Sequence, residues 1–280
     1  MKNMGSKFSF NWRTFGGIRR LSLHWLQMLF WLVFAAVIVF FGLVFMGMFL
    51  YGAPDSYWAL FQNPEFRFAL EFTFKTTFIA TAVAVGTALP CSYILARYSF
   101  PGKVIVDTLL DLPLILPPLV SGMALLILFG PILGQKLARI GINIVFTAWG
   151  VIIALWFIAF PFTVKTFKEA FAAIDLRYEK IARTLGCSPA EVFKRVTLPM
   201  ACRGIGAGVA MTWARTLGEF GATAMLAGVT RMKTETLSAA IFLNMSIGEI
   251  RFALAIAIML FLTAMLVLTV FKILTRQERQ

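Results

Sequence analysis

From Trp25 to Leu50 the chain runs for 26 residues without a charged side chain. A helix needs roughly 20 apolar residues, at about 1.5 Å each, to cross a bilayer once. Inside hydrocarbon no water satisfies backbone N–H and C=O groups, so such a segment is helical or part of a closed barrel. The run is continuous and long, not alternating, and that selects the helix. Five more apolar stretches follow, at about Phe68–Leu95, Leu109–Phe129, Phe146–Val164, Gly204–Ala227 and Phe252–Leu274. With 60% hydrophobic and 14% charged residues and a mean hydropathy of +0.83, a soluble core could not hide this much apolar surface. The prediction is therefore an all-α, polytopic membrane protein. Six transmembrane helices lie within 25–274, between a basic tail (1–24) and a charged tail (275–280). The bilayer is its first partner.

The net charge of +13 does not point to nucleic acid, because the basic residues sit in short segments between spans. Eighteen of the 26 Lys and Arg fall in the termini and the loops expected inside, and seven in those expected outside. Excess cationic loops stay in the cytoplasm, so both termini are predicted to be cytoplasmic. The basic head (Lys2, Lys7, Arg13, Arg19, Arg20) precedes an apolar run too long for a cleaved signal core, so it is expected to remain as a first anchor. Cys91, Cys187 and Cys202 form no CxxC pair and are expected to be reduced thiols without a metal or disulfide role. His24 is expected at the headgroup boundary. No cofactor or metal spacing is present.

Three segments depart from plain spans. The third stretch carries Pro113, Pro117, Pro118 and, close behind them, Ser121 and Gly122. Such a helix is kinked or broken, and the freed carbonyls need neighbouring helices or water. The break either lines a pathway or is absorbed in packing. The fifth stretch opens with Gly204 and Gly208, small residues four apart that let helices approach closely. Its middle holds Arg215 and Glu219, four apart and able to neutralise each other on one helical face. That face lines a path or gate, or the pair locks two helices together. Gly218 and Gly221, around Glu219 and Phe220, supply close backbone approach or a hinge. Glu71 and Lys75 are spaced to pair in the outer turn of the second span.

The third segment, 167–203, is polar and cationic between two spans. It reads as a helix over about Arg177–Leu185, a corner at Gly186, and a second helix opening at Ser188. Gly186 is suited to a left-handed cap, Pro189 to the first helical position, and Glu191 to a capping box with Ser188. Pro199 is expected to stop or kink the chain. A rigid knob on a short loop suits docking onto a soluble partner.

This segment resembles the cytoplasmic signature loop of importer-type ABC permeases. Gly186, nine residues, Val196, one residue, Leu198 and Pro199 match that pattern, with Ala182 closing its first part. The start departs: the family's Glu-Ala-Ala falls on Lys180, Ile181 and Ala182, and Glu179 stands one position early. The run from Arg215 to Thr223 with Ala227 and Gly228, and the proline-rich stretch from Leu112 to Ser121, are similar to molybdate permeases and less closely to sulfate permeases. The resemblance spans about 73–260. It implies a fold like that of type I ABC importer permeases, and a channel-forming subunit for a tetrahedral oxyanion. Molybdate or tungstate comes first, with sulfate or thiosulfate as the alternative.

It also implies a homodimer in a prokaryotic inner membrane, with two cytoplasmic ABC ATPase subunits and an extracytoplasmic oxyanion-binding protein. Glu179, Ala182, Leu185, Gly186, Ser188 and Pro199 would then form the coupling loop. Pro117, Pro118, Ser121, Arg215, Gly218, Glu219 and Phe220 would form the path or gate. The chain has no GxxxxGK[ST] motif, so ATP would be hydrolysed by the partner. Lys136, Arg139, Arg231 and Lys233 either attract the anion at the outer mouth or are ordinary solvated charges. A self-sufficient secondary transporter remains the rival; it would need several deep carboxylates, and Glu219 is the deepest here. A membrane-embedded enzyme lacks any acid–base cluster.

Overall fold

The computed structural model describes residues 15–51 and 60–277. The basic head up to Arg13, residues 52–59 and the end of the charged tail lie outside them, as do the side chains of Arg19, Arg20 and His24. Every described residue is helical or in a connection between helices. Two units are distinguished, one ending at Tyr51 and one starting at Gly52.

The first unit is α1 (Phe15–Tyr51). It starts well before Trp25, because the helix continues into the basic segment. Its stretch from Trp25 is long and apolar enough to cross a membrane, and none of it is buried within its own unit.

The second unit is built around α2 (Pro64–Arg97) and α6 (Ala148–Ala172), the most extensively packed pair. Asn63 caps α2 by accepting the N–H groups of Glu65 (2.8 Å) and Phe66 (3.3 Å), with Pro64 at the first position. Thr147 caps α6. The buried face of α2 is a row of Ala69, Thr73, Thr77, Ala80, Ala84 and Ala88. Small side chains let backbones close in where apolar lipid gives helices no hydrophobic reason to associate. Lys75 and Glu71 pair on the exposed face, as their spacing predicts.

Between them the third stretch is α3 (Lys103–Ile115) and α4 (Pro118–Ile127), with a π-helical turn at Leu128–Ile132; the axes bend by 113°. Leu116 and Pro117 are extended. Neither Pro117 nor Pro118 has an N–H to donate, and a residue before proline is pushed out of the helical region. Then come α5 (Gly134–Arg139) and, after α6, α7 (Leu176–Thr184) and α8 (Pro189–Val192). A π-helical turn at Phe193–Thr197 leads into α9 (Leu198–Leu217), followed by α10 (Gly221–Ala227), α11 (Leu237–Ser246) and α12 (Ile250–Gln277).

The structure bears on the expectations for the fifth stretch, the span count and Pro199. The fifth stretch is not one helix: it divides at Gly218–Phe220 into α9 and α10. Among the described residues four helices are long and apolar enough to span, or five with the bent pair counted, so length and hydropathy alone do not reach six. Pro199 does not stop the chain; it sits in the first turn of α9. The π turn before it, in which the Leu198 N–H reaches back to the Phe193 carbonyl, absorbs the widening that proline imposes.

Small residues seat α9 on α6. A Cβ on Gly204 would lie 2.5 Å from Ala170 Cβ, and one on Gly208 2.9 Å from the Phe167 ring. Hydroxyls add interhelical bonds: Thr163 to Thr212 at 3.0 Å, Thr81 to Thr216 at 3.3 Å, and Trp213 Nε1 donating to Thr77 at 3.1 Å.

Candidate functional site

The polar loop forms the first candidate surface. Asp175 caps α7 through the Arg177 N–H (2.9 Å), a cap the sequence reading did not single out. The helix ends in a Schellman arrangement: the Gly186 N–H bonds the Arg183 carbonyl (3.0 Å) and the Cys187 N–H the Ala182 carbonyl (3.1 Å). Gly186 has φ +90°, which L side chains rarely adopt. The corner and the capping box at Ser188 are as predicted: Ser188 N donates to Glu191 (2.9 Å) and Glu191 N to Ser188 Oγ (3.4 Å). The Ser188 N–H and the Ser188 hydroxyl (2.8 Å) both donate to the Glu191 carboxylate, and together they hold it below the usual range.

The inner face of α7 is locked. Glu179 Oε1 accepts from Arg97 Nε on α2 at 2.8 Å and from Thr197 Oγ1 at 3.0 Å; the Tyr93 hydroxyl reaches Oε2 at 3.5 Å. Arg97 also donates to the Ile174 carbonyl (3.3 Å). Glu179 and Ala182, both expected in the coupling loop, are buried on its inner face and are not available to touch a docking partner. They brace the loop instead. Arg97 is the residue the sequence reading missed. Its position at the last turn of a span was the available signal, but nothing in a 77–82-residue separation names a partner. The outer face of α7 carries Tyr178, Ile181 and Leu185 at i, i+3 and i+7, all exposed, with Leu185 at 79%. An apolar helical stripe left uncovered on a braced loop has the character of surfaces that receive a partner.

The second candidate lies where the broken helices meet. A Cβ on Gly122 would fall 2.7 Å from Ala222 Cα, and one on Gly221 3.0 Å from Pro118 Cβ. The starts of α4 and α10 are thus backbone to backbone. Gly221 provides the predicted close approach. Gly218 does not: it is exposed, has φ −92°, and has open space at its Cβ position. Glu219 is buried, and its carboxylate accepts the Ala222 N–H at 3.1 Å, so it caps α10. It does not pair with Arg215. The break at Gly218 removes the shared helical face that four-residue spacing supplies. Arg215 is exposed in the last turn of α9, without an ion pair among the described residues. Its neighbour Thr216 bonds Thr81, which is midway along α2. Phe220 packs on Phe242 (5.1 Å between ring centres). Ser121 is buried with no partner for its hydroxyl among the described residues. Pro117 is exposed and Pro118 half-buried beside Gly221.

Of the cations expected at the outer mouth, Arg231 pairs with Glu65 at 3.1 Å, while Lys136, Arg139 and Lys233 are exposed. Glu235, close to that pair, is fully buried, and burial raises its carboxyl above the usual range.

The chain is 36% identical over 226 residues to the sulfate transport system permease protein CysT of Salmonella typhimurium, covering 80% of this chain and 81% of that one. It is 35% identical over 235 residues to the molybdenum transport system permease protein ModB of Mycobacterium bovis, covering 81% and 88%. In fold it is similar to a chain of a bacterial alginate ABC transporter solved with an alginate pentasaccharide-bound periplasmic protein: TM-score 0.72 at 17% identity, over 94% and 97% of the two chains. Residues 88–280 match the family model described as binding-protein-dependent transport system inner membrane component, and the chain belongs to that family.

Proposed function

We propose that this chain is the membrane-spanning, non-enzymatic subunit of an ATP-driven importer for a tetrahedral oxyanion, molybdate or tungstate first. The observation that carries the reading is the braced loop: Glu179 and Arg97 fix α7 from within, while Tyr178, Ile181 and Leu185 face out. A chain without a phosphate-binding loop needs an external source of work, and this surface is where a cytoplasmic ATPase would push. Two ATPase subunits, a second copy of the chain and an extracytoplasmic oxyanion-binding protein complete the assembly. Both termini and the loop lie on the cytoplasmic side, in accord with the basic residues.

Pro117, Pro118, Ser121, Gly218, Glu219 and Phe220 surround the junction of two half-helices, and we assign them to the path or its gate. Arg215 is a cation without an ion-pair partner among the described residues, at mid-depth, which is expensive against lipid and useful beside an anion. Discrimination belongs to the binding protein, because a conduit that held its cargo tightly would not release it. The likeness to a sulfate permease, at 36% identity against 35% for the molybdenum one, supports sulfate as the second reading.

The test is uptake by vesicles carrying the whole transporter. Molybdate accumulation should require ATP, survive collapse of the proton gradient, and be lost with Gly186→Val, a strained left-handed position, while the protein stays in the membrane. Sulfate competing better than molybdate would select the second reading. Accumulation by vesicles holding this chain alone would overturn the ATP-driven reading in favour of a secondary transporter.

A further inference from the structure

We propose that Asp107, Asp111, Lys165 and Lys168 form a two-rung electrostatic latch between α3 and α6, one rung closed here and the other closing at another stage of the transport cycle. Lys168 Nζ sits 2.9 Å from both carboxylate oxygens of Asp107, and both side chains are one-third exposed. One turn further along α3 is Asp111; one turn back along α6 is Lys165. Both line a cavity of about 130 Å³ with Leu110, Pro161, Val164 and the closed pair. Neither Asp111 nor Lys165 has an ion-pair partner among the described residues. Opposite charges therefore face each other in register across a gap, beside a matched pair that has no gap.

The placement makes this a transmission element. Past Lys168, α6 runs through Ala172 straight into the braced loop. Past Asp107, α3 runs to the break at Leu116–Pro117 and so to α4, which packs backbone to backbone on α10. Displacement of the loop reaches the broken span through this contact. Each helix also carries a proline near the open rung, Pro113 in α3 and Pro161 in α6. Each proline deletes one helical hydrogen bond and lets its helix bend there. Partly solvated ion pairs contribute little as static staples. For the same reason they exchange partners without a large barrier, which suits a latch.

This inference rests on the proposed ATP drive, and the experiment separates the two. Cysteines replace Asp111 and Lys165 in a chain whose Cys91, Cys187 and Cys202 are serine, within the complete transporter in membranes. A short bifunctional thiol reagent is applied without nucleotide and after trapping with ATP and vanadate. The cross-link yield should differ by at least about fivefold between the states. Asp111→Asn should lower ATP-driven uptake with an unchanged amount of protein in the membrane, and Asp111→Lys with Lys165→Asp should restore it. Equal yields in both states, or failure of the exchanged pair to restore uptake, overturn the latch. If ATP does not drive uptake by the unaltered transporter, the ATP-driven reading fails instead.

Discussion

Arg97 and Glu179 meet at 2.8 Å across 82 residues of sequence, their side chains only 6% and 8% exposed. The contact joins the last turn of α2 to the first turn of α7, and Thr197 ties in the turn that feeds α9. Removing one member leaves a buried charge without compensation, which costs about 3–5 kcal/mol. Glu179→Ala should therefore lower the thermal unfolding temperature of the detergent-solubilised protein markedly. Arg97→Met combined with Glu179→Leu should recover most of that loss, because no orphan charge remains. An unchanged melting temperature for the single variant would remove the brace from the account.

The opposite face of α7 should behave in the opposite way. Leu185→Asp and Ile181→Asp fall on exposed positions, where substitutions usually stay within about 0.5 kcal/mol. Unfolding temperature should hardly move. Retention of an ATPase partner during purification should fall by about tenfold or more, as for truncation at the centre of an interface. Loss of stability together with loss of partner would mean that the stripe is packed inside the assembly for structural reasons.

Much of this was legible in the sequence, for physical reasons that also mark where legibility ended. The corner at Gly186 and the box formed by Ser188 and Glu191 are local: caps act within a few residues. The break at Pro117–Pro118 is equally local, since proline removes a donor wherever it stands. Glu219 was misread because a four-residue spacing implies a shared face only while the helix continues, and the helix ends at Leu217. Arg97 was missed because a buried ion pair between distant elements leaves no spacing to detect. The faces of α7 were half visible: periodicity separates Glu179 and Ala182 from Tyr178, Ile181 and Leu185, but does not say which set is turned inward.

Protonation of Glu191 gives a pH signature. Hydrogen bonds from Ser188 hold its folded pKa below the unfolded value. Its contribution is therefore present above the unfolded carboxylate pKa and is lost as pH falls through the depressed folded one. Glu191→Gln should differ in unfolding temperature from the parent at neutral pH, and the difference should shrink as the medium becomes strongly acidic. A difference that stays constant across that range would show that the carboxylate charge plays no part in the cap.

The closeness of α4 and α10 gives the strictest test of the gate. An added methyl on Gly122 would press to 2.7–2.8 Å against the Ala222 backbone and the Met225 side chain. Backbone cannot rotate aside as a flexible side-chain end can, so Gly122→Ala should cost about 1–3 kcal/mol by overpacking. On α2, Gly86 has nothing within 4 Å of a built Cβ, and there alanine should be neutral or stabilising by up to about 1 kcal/mol, because it restricts the unfolded chain. Gly122→Ala should thus lower the unfolding temperature while Gly86→Ala leaves it unchanged or raises it, and Gly122→Ala should also slow uptake beyond what its loss of folded protein accounts for. If it lowers stability while uptake per folded molecule is unchanged, α4 and α10 pack tightly without moving against each other, and the junction is structural rather than a gate.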